Sequence, residues 1–112
     1  MPVPRLKRAY DAPAAADGIR VLVDRLWPRG LSREKAAVDL WLKDVAPSDA
    51  LRREFHAHPE RFDAFRKAYA AELHDSPALA ELRALARRRK LTLLYASKDD
   101  AHNNAVALMD LL

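Results

Sequence analysis

The chain has 112 residues, half of them apolar and 32% charged, which suits one soluble domain built on a single core. It contains no cysteine, which excludes disulfides, thiolate metal sites and cysteine nucleophiles. The 20 lysines and arginines outnumber 16 acidic residues for a net charge of +4, an excess that favours anionic ligands and admits nucleic acid.

At the N-terminus, MPVPRLKRAY lacks a signal-peptide core, and no later apolar run approaches the length of a bilayer span. The expected setting is therefore the cytoplasm, without a membrane partner. Arg5 to Tyr10 alternates basic with apolar residues, the pattern of a half-exposed strand, with its cations guarding a sheet edge. DAPAAADG follows as a loop broken by Pro13 and Gly18. Arg20 to Leu26 reads as the central strand. Its unbroken Val21-Leu22-Val23 suits a strand covered on both faces.

Ser32 is positioned to cap a helical turn reaching Ala37, with Glu34 in its first turn. Val38 to Leu42 (VDLWL) fits a short third strand, or a helix almost as well. After Pro47, Ser48 caps a helix with Leu51 and Phe55 on one face. Pro59 starts a helix running to about Leu73, striped by Phe62, Phe65, Tyr69 and Leu73. Ser76-Pro77 opens another, with Leu79, Leu82 and Leu85 inward and a basic end from Arg87 to Lys90 that complements the helix dipole. Leu91 to Ala96 (LTLLYA) is the clearest strand. SKDD then caps a closing helix with Ala105, Leu108, Met109 and Leu112 on the core side. The order strand, helix, strand, helix predicts an α/β fold: a small, mostly parallel sheet of three to four strands flanked by helices, in one domain over residues 1–112.

The runs RVLVDRLWPRGL, DLWLKDVAPS, FDAFRKAYAAEL and LTLLYASKDDAHNNA together resemble the YeaO-like branch of the bacterial domain of unknown function 488. The match reaches from Tyr10 to the end of the chain. Around the central strand it rests on Asp24, Arg25, Trp27, Pro28, Arg29 and Gly30; further on it rests on Trp41, Lys43, Pro47 and Ser48. Tyr69, Glu72, Leu73, Tyr95, Lys98 and Asn103 complete it. The resemblance implies a small α/β protein with no agreed reaction. Where relatives usually read Asn-His-Ala, this chain has Asn103-Asn104-Ala105 with a histidine at His102 instead.

If the two best strands lie side by side and parallel, their carboxyl ends converge, as ligand sites in α/β sheets do. Asp24, Arg25, Trp27 and Arg29 then meet Tyr95, Ser97, Lys98 and Asp99, with Asn103 in the first turn of the last helix and Lys43 and Ser48 from the third segment. This balance of charge calls for a phosphate- or carboxylate-bearing small molecule held by arginine forks. Arg25, Trp27, Arg29, Lys43, Ser48, Lys98 and Asn103 are the expected ligand-binding residues; Asp24 and Tyr95 are the groups left for proton transfer. Each has a plainer reading. Asp24 and Arg25 must find partners at a strand end in any case, and Trp27 and Trp41 bury area wherever they sit. Asp99 or Asp100 reads as an N-cap.

His56 and His58 lie two apart but are not read as a metal pair. There is no glycine-rich phosphate loop, GxSxG elbow or HExxH motif, and no cofactor is expected. Whether the ligand is transformed stays open. The alternative reading is a nucleic-acid-binding or regulatory accessory protein that uses Arg87 to Lys90, in one patch with Arg5, Lys7 and Arg8.

Overall fold

Two apolar runs pair on both of their edges and so form the middle of the molecule. In the computed structural model, which describes residues 3–112, four parallel strands make one sheet. They are β1 (Arg5–Arg8), β2 (Ile19–Leu22), β3 (Leu40–Trp41) and β4 (Leu91–Tyr95), in the spatial order β1-β4-β2-β3. The register sets Val21 beside Leu93, Leu22 beside Leu94 and Arg8 beside Tyr95. The α/β fold with a small parallel sheet is thus present, with β1 at one edge as its charged pattern predicts.

Gly18 governs the entry to β2. Its φ of +65° is left-handed, and a Cβ there would stand 2.3 Å from the carbonyl oxygen of Lys90. That close approach lets the Ile19 N–H donate to the same oxygen at 2.9 Å and start the β2–β4 ladder. β2 is shorter than the stretch from Arg20 to Leu26. The Val23 N–H still reaches the Leu94 carbonyl, but the Asp24 carbonyl accepts from the Trp41 indole and the chain turns out of the sheet.

Among the described residues the α-helices are α1 (Arg33–Ala36), α2 (Asp49–Ala57), α3 (Phe62–Glu72), α4 (Pro77–Arg88) and α5 (Asn104–Met109). Of the Val38 to Leu42 segment only Leu40–Trp41 is strand, and none of it is helix. The helix expected from Pro59 divides into a 3-10 turn at Pro59–Arg61 and α3 proper. The cap of α5 also differs from expectation. Asn103, not SKDD, accepts the Val106 N–H at 2.9 Å, while the Asp99 carboxylate closes a local turn on the N–H groups of Ala101 and His102.

Strand pleating divides the core. On one face Val21, Val23, Leu91, Leu93 and Tyr95 pack against the apolar sides of α2 to α5. On the other, Leu22, Leu94 and Ala9 meet Trp27, Leu31, Val38 and Trp41 from the excursion that carries α1. Val21, Leu22 and Val23 are all fully buried, as their unbroken run predicts. The second face also holds an ion cluster. Asp17 is 1% exposed and accepts from Arg20, itself 3% exposed, at 2.7 Å and from Lys7 at 3.0 Å. Arg20 spends further donors on the Ala36 carbonyl.

Lys7 is therefore committed to Asp17, and Arg8 reaches the Ser97 and Ala96 carbonyls. Neither is free to join Arg87 to Lys90, which are exposed where β4 begins, whereas Arg5 is exposed beside that end, in register with Thr92. Among the described residues, no helix is long and apolar enough to cross a membrane.

Candidate functional site

The sheet is parallel, so β2 and β4 end side by side and their following loops diverge around a cleft of about 550 Å³. Asp24, Arg25, Trp27 and Arg29 line it from the β2 end, and Ala96, Ser97 and Asp99 from the β4 end. α2 supplies Arg52, Phe55 and His56; the approach to α5 supplies His102, Asn103 and Asn104. This is the convergence that two same-direction strands require, and the volume is ordinary for a small-molecule site.

At its inner end, the Asp24 carboxylate accepts the Ala96 N–H at 2.9 Å, joining the ends of the two central strands. Burial pushes the Asp24 carboxyl above its ordinary value, against the Ala96 N–H and the Asn104 amide, which hold it down. Asn104 itself donates to the Val23 carbonyl at 3.1 Å. Arg25 and Arg52 each have a buried Nε with no acceptor among the described residues. Arg52 also sends one terminal nitrogen to Asp49 at 3.3 Å. At the mouth, the Tyr10 hydroxyl donates to the Arg29 carbonyl at 2.8 Å. Asp99 lies 3.1 Å from His102 Nδ1, and the N–H groups of Ala101 and His102, with the imidazole, hold its carboxyl below its ordinary value.

Of the residues expected here, Asp24, Arg25, Trp27, Arg29 and Asn103 line the cleft. Both polar ends of Asn103 already hold the backbone, its oxygen capping α5 and its Nδ2 donating to the Asp99 carbonyl at 2.9 Å. Tyr95 does not line it: pleating turns the ring into the helix-covered core, where it is 4% exposed. Burial, then the negative charges of Asp100 and Asp11, push its hydroxyl up, which unsuits it to proton transfer. Lys43 lays its ammonium on the Trp41 ring, 4.1 Å from the centroid. Ser48 caps α2 through the Leu51 N–H and donates its hydroxyl to Glu72, which also takes the Ser48 N–H at 2.9 Å. Lys98 is at the right end of the sheet but faces solvent between Ser97 and Asp99, which do line the cleft.

Arg52, His56, His102 and Asn104 were not anticipated at the site. Asn104 and His102 carried a signal, the departure from the family pattern at which the histidine is displaced. Arg52 and His56 sit four apart on α2, a spacing that puts them on one face without saying which wall that face joins.

The family model described as the inactive DUF488-N3 subclade matches residues 4–112. The chain is 48% identical over 108 residues to the uncharacterised protein Rv3073c of Mycobacterium tuberculosis, covering 96% of this chain and 92% of that one. The uncharacterised protein Mb3100c of Mycobacterium bovis shows the same identity and coverage. The uncharacterised protein YeaO of Escherichia coli is 43% identical over 108 residues, 95% of this chain and 93% of its own. No solved structure matches. A match over nearly the whole chain, by family model and by relatives alike, makes this protein a YeaO-like member of the DUF488 family, in its inactive DUF488-N3 subclade.

Proposed function

We propose that the protein binds a small anionic molecule in the cleft at the carboxyl ends of β2 and β4, and does so without transforming it. The observation that carries this reading is the pair of guanidinium groups, Arg25 and Arg52, whose buried Nε donors have no acceptor among the described residues. A buried donor left unmatched costs free energy, and two of them along one cleft favour an acceptor-rich ligand such as a phosphate or carboxylate. Arg29 adds positive charge at the same end.

Binding is favoured over turnover on two grounds. The family model bears the description inactive. Of the two groups expected to move protons, Tyr95 is packed in the core and only Asp24 borders the cleft. Asp24 holds the ends of the strands together through Ala96 and supplies a wall rather than a nucleophile.

Isothermal titration of wild type, Arg25→Gln and Arg52→Gln with inorganic phosphate, phenyl phosphate and benzoate tests the reading. At least one anion should bind, and each variant should weaken it by about 1.5–3 kcal/mol, the worth of a charge-assisted hydrogen bond. Absence of heat with all three anions at millimolar concentration overturns the proposal. So does unchanged affinity in both folded variants.

A further inference from the structure

The charged residues account for only part of the cleft wall. Phe55 and Phe65 line it as a stacked pair, centroids 4.6 Å apart and planes inclined by 26°. Pro28, Pro47 and Pro59 line the same space with rigid apolar rings. Leu26 stands at the lining with 63% of its surface exposed, though large apolar side chains elsewhere in the described chain are mostly covered. An apolar group left in water beside buried donors is what a site for a two-part molecule looks like.

Size points the same way. A bare phosphate or acetate fills only a corner of about 550 Å³. Apart from the arginines and Leu26, much of the remaining lining is cyclic, with Trp27, Phe55, Phe65 and the three prolines, which suits a planar body more than an extended alkyl one.

From this we infer that the cleft's ligand is an aromatic anion: one phosphate or carboxylate head held by Arg25 and Arg52, carried on a planar ring that lies among Phe55, the prolines and Leu26. The inference rests on the anion-binding reading and adds the body to the head. The ring enters a preformed space, so its burial adds affinity with little ordering cost, at least about tenfold by apolar transfer alone.

The test compares matched probes by isothermal titration: phenyl phosphate against inorganic phosphate, benzoate against acetate, and benzyl alcohol as an uncharged ring. At least one aromatic anion should bind about tenfold or more tighter than its bare counterpart, and benzyl alcohol should bind far more weakly than that anion. Phe55→Ala should remove most of the aromatic advantage. Because Phe55 also packs in the core, Leu26→Ser provides a second variant at an exposed position, expected to lower aromatic-anion affinity severalfold while leaving the bare anion unchanged. Equal affinity of each aromatic anion and its bare head overturns the aromatic body and leaves the anion site standing. Benzyl alcohol binding as well as both aromatic anions overturns the anion site itself. Full retention of the aromatic advantage in both variants overturns the placement of the ring.

Discussion

The carboxylate of Asp24, just past β2, accepts the backbone N–H of Ala96, just past β4, at 2.9 Å. This one hydrogen bond fastens together the two loops that open into the cleft. It also holds a carboxyl where burial resists its ionisation. Structural tie and electrostatic cost therefore fall on the same side chain, a common condition of residues at binding sites.

Asp24→Asn should separate the two. Asparagine keeps an oxygen for the Ala96 N–H but cannot ionise. The folded-state pKa of Asp24 is raised, so its contribution is most favourable when protonated and declines as pH rises through the folded value. The variant should show a higher urea midpoint than wild type at pH 7, and that gain should vanish near pH 3. A lower midpoint at pH 7 would mean that the charge itself supports the fold.

The buried cluster of Asp17, Arg20 and Lys7 has the opposite sign. Burial raises the Asp17 pKa, but hydrogen bonds from Lys7, the Ala14 N–H and Arg20 outweigh it and bring it from 3.8 to about 2. Its stabilisation is complete above 3.8 and is lost as pH falls through about 2. Asp17→Asn strands the Arg20 charge in the interior and should cost about 3–5 kcal/mol at pH 7 in denaturant unfolding. The variant should also lack the wild type's loss of stability across that acid window.

Two glycines with left-handed φ should respond differently to alanine. At Gly18 the added Cβ would meet the Lys90 carbonyl at 2.3 Å, whereas at Gly30, with φ +75°, nothing lies within 4 Å. Gly30→Ala should cost only the left-handed backbone penalty, about 1–2 kcal/mol. Gly18→Ala should cost more than that, because the β2–β4 ladder must shift to relieve the clash. Equal melting temperatures for the two variants would contradict this.

Asn103 is predicted to act on stability rather than on ligand. Its oxygen caps α5 and its amide holds the Asp99 carbonyl. Asn103→Ala should lower stability by about 1–2 kcal/mol and leave anion affinity little changed in protein that remains folded. A large loss of affinity at unchanged stability would return Asn103 to the ligand-binding set.

By itself the sequence determined the two central strands, their shared direction and the end of the sheet where the cleft opens. Val21-Leu22-Val23 and Leu91 to Tyr95 are buried on both faces because they carry no charged face to expose, and a helical crossover between strands makes them run parallel. Those are local and topological facts, written in residue order. Which way each neighbouring side chain points was decided only by the tertiary structure. Tyr95 turned into the core, Lys98 into solvent and Lys43 onto Trp41, while Arg52 entered the cleft from an unremarked helix face. Strand alternation says that successive residues oppose each other but not which face receives the helices, and a helix's rotation is set by the surface it packs on. Arg20 and Asp17 carry the same lesson: a charged pair three residues apart looks solvated until the excursion carrying α1 covers it and makes it part of the interior.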